Sequence, residues 1–254
     1  MLIRITNRCT MGCPHCVIDS SGPKGAHMTE ETFEEALKFR EVIGSRIVVV
    51  SGGEPTEHPQ FFGLMRKAVA TVPDHVCAFV VASNGLFALD DFKYERMCRL
   101  VDDSQGFITV QVTNDVKYYP RSLAHIQSRF QRPNWAFVDS LFQLTPCRRT
   151  RENNLTATRR APLCFNLRAH TRIGGLASAV AGLEGLMRAC CPSINIDGTV
   201  RAGEGDTCHE LGDVRSEFET IEEKLVLMRC GACGLRNNLK DYEKELIGEN
   251  GVEP

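Results

Sequence analysis

Leu2-Ile3-Arg4-Ile5-Thr6-Asn7-Arg8-Cys9-Thr10-Met11-Gly12-Cys13-Pro14-His15-Cys16 is the stretch from which the rest of the chain is read. Leu2–Thr6 has the character of a buried strand, and three cysteines in CxxxCxxC spacing follow it at once. Thiolates this close on one loop can converge on a single inorganic centre. Three cysteines on a cluster of four irons leave one iron open to a cofactor or substrate, and that asymmetry is the chemical interest of the spacing. Taken alone, the motif leaves a competing reading, a structural zinc ion with His15 as fourth ligand.

Further along, the same arrangement of strand and polar turn recurs. Arg46–Val50 is a β-branched run that ends in Ser51-Gly52-Gly53, and Val76–Ala82 ends in Ser83-Asn84-Gly85. Phe107–Val112 and Ala136–Leu144 repeat the theme. Continuous apolar runs of this length suit parallel strands covered on both faces. Between them lie helical patterns. Thr29 is a candidate N-cap, with Glu30 and Glu31 in the first turn and Phe33, Ala36, Leu37 and Ile43 on one face. Phe61–Val72 and Phe92–Val101 have similar character. Repeated β–α units predict a parallel sheet whose functional loops sit at the carboxyl ends of the strands.

Bulk properties narrow the class. The chain has 254 residues, 43% apolar and 24% charged, which suits one large α/β domain with or without a small appendage. A net charge of -2 argues against a nucleic-acid partner, no apolar run is long enough to span a bilayer, and no secretory signal precedes the first strand. The expected location is therefore the cytoplasm, where twelve cysteines point to metal or redox chemistry rather than to disulfides. Cys77, in an apolar run, and Cys98, on a predicted helix, read as small core residues.

CxxxCxxC after the first strand, Gly52-Gly53-Glu54-Pro55 after the second and Ser83-Asn84-Gly85 after the third resemble, in that order, the motifs of the radical S-adenosylmethionine (radical SAM) superfamily. The resemblance covers about residues 2–145 and departs from the usual loop at His15, where an aromatic residue is commoner. It implies an α/β fold, a partial (β/α)6-type barrel over residues 1–146. It also implies a 4Fe–4S cluster on Cys9, Cys13 and Cys16, whose open iron is chelated by S-adenosylmethionine. Gly52, Gly53, Glu54 and Pro55 would hold the cofactor's ammonium, Ser83 and Asn84 its methionine or ribose, and Gln111 and Thr113 its ribose or carboxylate. The implied chemistry is reductive cleavage of the cofactor to a 5′-deoxyadenosyl radical that takes a substrate hydrogen. A flavodoxin or a ferredoxin-type protein would supply the electron.

A second cysteine set, Cys191, Cys208, Cys230 and Cys233, has C-x16-C-x21-C-x2-C spacing, with Cys190 able to replace Cys191. It surrounds a predicted hairpin, Ser193–Ile196 and Thr199–Ala202 about Asp197-Gly198, and a predicted helix opened by a Ser216/Glu219 capping box. Together with Leu211-Gly212-Asp213-Val214, this layout resembles the short "twitch" form of the SPASM extension. That resemblance implies a hairpin-helix domain over residues 186–254 with an auxiliary 4Fe–4S cluster, and a substrate oxidation such as dehydrogenation or peptide or natural-product maturation. A four-cysteine zinc knuckle would staple the tail equally well. In that case the enzyme would be redox-neutral, and with zinc at both sites the chain would be a non-catalytic interaction module. Cys147 and Cys164 are unassigned.

Residues 147–185 form the connector, and Cys147–Arg172 carries seven arginines against one acidic residue, Glu152. Guanidinium groups there suit carboxylate or phosphate, so Arg159 and Arg160 are candidate contacts to an anionic small-molecule or peptide substrate. Only eight residues precede Cys9, which leaves no room before it for a leader-peptide-binding domain. No histidine stands out as a general acid or base.

Overall fold

The structure is a computed structural model, and it describes residues 1–16, 18–20, 24–43, 45–71, 78–114, 123–139, 152–153, 192–203 and 208–227. In chain order these contain β1 (Leu2–Arg4), α1 (Glu30–Val42), β2 (Ile47–Ser51), α2 (Phe61–Thr71), β3 (Ala78–Ser83), α3 (Asp91–Asp103), β4 (Ile108–Asn114) and β5 (Trp135–Asp139). They are followed by β6 (Ser193–Ile194), β7 (Thr199–Arg201), β8 (Glu210–Asp213) and α4 (Phe218–Leu227). The fold is α/β, as the alternation of strand and helix patterns implies.

All the described strands lie in one sheet of order β5-β4-β3-β2-β1-β6-β7-β8. From β5 to β6 every neighbouring pair is parallel, and β6, β7 and β8 pair antiparallel. The parallel part is the sheet of a partial barrel, in keeping with the expected class. The predicted C-terminal hairpin continues that sheet, since β6 pairs with β1 through Leu2 with Ser193 and Ile3 with Ile194.

Strand alternation decides which side the helices cover. Ile3, Val48, Val50, Phe79, Val81, Ile108, Val110 and Val112 are buried with Phe33, Ala36, Leu64, Met65, Met97 and Val101 from α1, α2 and α3. Each large side chain removed from water there contributes about 1.5–3 kcal/mol. Of the intervening residues, Leu2 and Val49 are buried, while Arg4, Ser51, Val80, Ala82, Thr109, Gln111 and Thr113 are only half-buried. Cover on both faces was the expectation from the apolar runs. Among the described residues, one face is sealed by helices and the other stays partly open.

Local signals act much as expected. Thr29 caps α1, its hydroxyl accepting from Thr32 N–H. The β6–β7 connection turns on Gly198, which adopts a left-handed φ of 95° that a side chain would oppose. The Ser216 capping box is displaced, because α4 starts at Phe218 and the Ser216 hydroxyl instead accepts from Asp213 N–H at 3.1 Å. Beyond β1, Ile5 N–H still donates to Ser51 O, and Thr6 bridges to His27, so the chain stays pinned until the cysteine loop begins. No described helix is long and apolar enough to cross a membrane.

Candidate functional site

The cysteine loop is held by the end of β2. Gly53 N–H donates to Thr6 O at 2.6 Å, and Glu54 N–H donates to Arg8 O at 2.8 Å. Backbone lies on backbone here. A Cβ on Gly52 would stand 2.3 Å from Thr6 O, and one on Gly53 would stand 2.2 Å from Arg8 O. Two glycines are therefore needed for the close approach alone.

Glu54 ties the next strand end into the same structure. Its side chain is 1% exposed. Oε1 accepts from Thr56 N–H at 3.2 Å, Thr56 Oγ1 at 2.7 Å and Ser83 Oγ at 2.8 Å, and Oε2 accepts from Asn84 N–H at 2.8 Å. Burial raises the Glu54 carboxyl above its ordinary range, and the hydrogen bonds from Asn84, Thr56 and Ser83 oppose that rise. The Ser83 hydroxyl accepts from Gly85 N–H at 3.0 Å, which closes the turn after β3. Pro55, the last residue of the Gly-Gly-Glu-Pro motif, is buried and opens a single 3₁₀ turn, Pro55–Glu57.

Cys9, Cys13 and Cys16 border one cavity of about 210 Å³, shared with Gly52, Gly53 and Asn84. Arg4, Met11, His15, Ile18, Ser20 and Ser51 complete most of its wall. Cys9 is buried, while Cys13 and Cys16 are half-buried. Burial raises the Cys9 thiol, the carboxylate of Glu54 adds to the rise, and the N–H donors from Met11 and Asn84 counter it. Those donors reach the sulfur itself. Met11 N–H lies 3.5 Å and Asn84 Nδ2 3.6 Å from Cys9 Sγ, and Ser20 N–H lies 3.3 Å from Cys16 Sγ.

Of the residues singled out in the sequence, Gly52, Gly53, Asn84 and the three cysteines thus meet at one cavity. Glu54, Pro55 and Ser83 stand behind it, and Gln111 and Thr113 lie on the half-open face of β4 without bordering it. Arg159, Arg160, Cys147, Cys164, Cys190, Cys191, Cys230 and Cys233 lie outside the described residues. Cys208 is half-buried beside Gly203, where an added Cβ would stand 3.0 Å from its sulfur. From the connector, Asn153 Nδ2 donates to Pro14 O at 3.0 Å, against the cysteine loop.

Sequence reading had passed over Arg4, Ser51 and Thr56. Arg4 carried a signal, being a charge inside an apolar strand on the side away from Ile3 and Ile5. Its Nη1 donates to Asn195 Oδ1 at 2.9 Å, which aligns it with the strand beyond.

The profile of the Radical SAM superfamily matches residues 3–115. No curated protein sequence matches the chain. Among solved structures, it resembles Streptococcus suis SuiB bound to precursor peptide SuiA at 11% identity and a TM-score of 0.56, covering 92% of this chain and 69% of that one. It resembles BtrN in complex with AdoMet and 2-DOIA at 10% identity and a TM-score of 0.54, covering 96% of this chain and 85% of that one. A third, native anSMEcpe with bound AdoMet and Cp18Cys peptide, gives 13% identity and a TM-score of 0.52, covering 88% and 79%. At these identities the likeness is one of fold. Residues 3–115, less than half of the chain, match the Radical SAM superfamily, and the order of the motifs and their meeting at one cavity accord with a domain of that kind there.

Proposed function

We propose that this chain is a radical SAM enzyme that binds a 4Fe–4S cluster through Cys9, Cys13 and Cys16 and S-adenosylmethionine on the Gly52-Gly53 side of the same cavity. The observation that carries this reading is the meeting of the three thiols, the glycine backbone and Asn84 around one space. The donor set fits a cluster better than a zinc ion. Bonds of about 2.3 Å in a tetrahedron bring the sulfurs around one zinc within about 4 Å of each other. Among the described residues, no three His, Cys, Asp or Glu side chains stand close enough to hold a single metal ion. A cubane separates its ligands further, and N–H donors on Cys9 and Cys16 suit sulfurs that carry cluster charge.

When bound, the cluster and cofactor supply one-electron cleavage of the sulfonium and a radical that takes a substrate hydrogen. The chain's own residues hold and screen. Gly52 and Gly53 border the cavity while their bare Cα atoms let the cysteine loop pack on the β2 turn, and Glu54 keeps their turn and the Ser83-Asn84 turn in register. The Glu54 carboxyl contributes negative potential on the side where the ammonium would sit. Arg4, on the wall of the cavity, and Arg159 and Arg160, in the connector, suit an anionic group on the substrate. BtrN was solved with a small molecule and SuiB with a peptide, so this fold accepts both kinds of ligand.

The tail is assigned an auxiliary 4Fe–4S cluster on Cys191, Cys208, Cys230 and Cys233, with oxidation of the substrate as its consequence. Iron and sulfide analysis of anaerobically reconstituted protein, beside a Cys9/Cys13/Cys16 triple alanine variant, tests both parts. About eight irons falling to about four supports two clusters. About four falling to none, with zinc retained, makes the tail structural and the reaction redox-neutral. A colourless wild-type protein that releases no 5′-deoxyadenosine with dithionite refutes the proposal.

A further inference from the structure

The contact between Asn84 and Cys9 links two parts of the chain that are remote in sequence, and its geometry is fixed from both ends. Asn84 is 8% exposed. Its backbone N–H is held by Glu54 Oε2 at 2.8 Å. Its side-chain Oδ1 accepts from Leu86 N–H at 2.9 Å. That acceptor role settles the orientation of the amide, because a reversed amide would set two donors against each other. Nδ2 is left pointing at Cys9 Sγ, 3.6 Å away.

The other described donors to these sulfurs, Met11 N–H and Ser20 N–H, are backbone groups that come with the loop itself. The amide of Asn84 is a side-chain donor brought from the end of β3. A thiolate ligated to a cluster carries part of the cluster's charge, and adding an electron increases that charge. A donor on the sulfur therefore stabilises the reduced state more than the oxidised one.

We propose that Asn84 is a positioning residue that raises the reduction potential of the Cys9/Cys13/Cys16 cluster through an N–H···S hydrogen bond to Cys9. The proposal rests on the cluster reading above and assigns Asn84 a role toward the cluster rather than toward the cofactor's methionine or ribose. The step concerned is one-electron: the oxidised cluster takes one electron from an external reductant, and no bond in the protein is made or broken. Glu54 serves the same contact indirectly, since it holds the turn from which Asn84 reaches.

The test compares wild type with Asn84→Ser and Asn84→Asp. Both variants retain an oxygen that can accept from Leu86 N–H, and neither retains the amide donor. Each reconstituted protein is assayed for iron, checked for folding by circular dichroism, and titrated with dithionite by EPR without cofactor or substrate. Iron lost in a Cys9/Cys13/Cys16 triple alanine variant relative to the wild type establishes this cluster first, so failure of the cluster reading is seen separately. With Asn84→Ser, the reduction equilibrium is expected to move about tenfold toward the oxidised state, which is about 59 mV for one electron. With Asn84→Asp, the shift is expected to be larger, because an acceptor with negative charge replaces the donor. Reduction equilibria within threefold of wild type in loaded, folded variants would overturn the proposal. If neither variant loads the Cys9/Cys13/Cys16 cluster, wild-type protein labelled with 15N-asparagine decides. A nitrogen coupling to the reduced cluster in pulsed EPR is expected, and its absence overturns the assignment.

Discussion

Substituting Gly53 by alanine tests whether the β2 turn and the cysteine loop need the closeness seen here. The added Cβ would lie 2.2 Å from Arg8 O and 2.6 Å from Arg8 C, both backbone atoms. A carbon–oxygen contact settles at about 3.3 Å, so the two segments must part by about 1 Å. Parting costs the bonds from Gly53 N–H to Thr6 O and from Glu54 N–H to Arg8 O, worth about 1 kcal/mol each. Residual overpacking adds about 1–3 kcal/mol. The lower entropy of the unfolded alanine chain returns about 0.4–1 kcal/mol. The net loss expected is about 2–5 kcal/mol, a large part of the stability of a typical domain.

Urea denaturation of the apo-protein reads this loss directly, with two other glycines as internal standards. Gly63, exposed on α2 with nothing within 4 Å of an added Cβ, should gain about 0.5–1 kcal/mol as alanine. Gly12 has equally open surroundings but a φ of 73°, so its alanine variant should lose about 1–2 kcal/mol through conformation alone. Iron content after reconstitution should fall in Gly53→Ala and hold in Gly63→Ala. A Gly53→Ala variant that loses less than about 1 kcal/mol and loads iron fully would refute the close-approach argument.

Two further outcomes follow from buried polar groups. Glu54→Leu strips the acceptor from Thr56 N–H, Thr56 Oγ1, Ser83 Oγ and Asn84 N–H and should cost more than about 3 kcal/mol, whereas Glu54→Gln retains one oxygen and should cost less. Equal losses in urea would contradict that network. His58 is 3% exposed, its Nδ1 accepts from Gln60 N–H at 3.0 Å and its Nε2 faces Met28 O at 2.9 Å, so it is held neutral. Burial lowers its pKa, the unfolded chain takes the proton first, and its contribution is whole above the ordinary histidine range and declines as pH falls through that range. Stability should therefore drop between pH 7 and pH 5 less steeply in His58→Asn than in wild type, and parallel pH profiles would show that another group is responsible.

Much of this protein was legible in the sequence because local patterns carry it. A strand that is apolar over several residues and then breaks at cysteines or paired glycines announces a β–α unit with its loop at the carboxyl end. Thr29 capping α1 and Gly198 turning the hairpin depend on nearest neighbours, so a window of a few residues reveals them. CxxxCxxC needs only a loop to bring its thiols to one cavity. Three features were decided by the tertiary structure. The hairpin from Ser193 joins the sheet beside β1, a pairing across about 190 residues that no local period encodes. That the Glu54 oxygens bind Thr56, Ser83 and Asn84 follows from β2 and β3 ending side by side in register, which the motif alone does not announce. Asn84 reaches Cys9, 75 positions earlier, because β1, β2 and β3 are successive parallel neighbours. Side-chain type and spacing determined which chemistry the chain can hold. Parallel pairing of strand ends determined which side chains meet, since it sets remote turns within hydrogen-bonding distance.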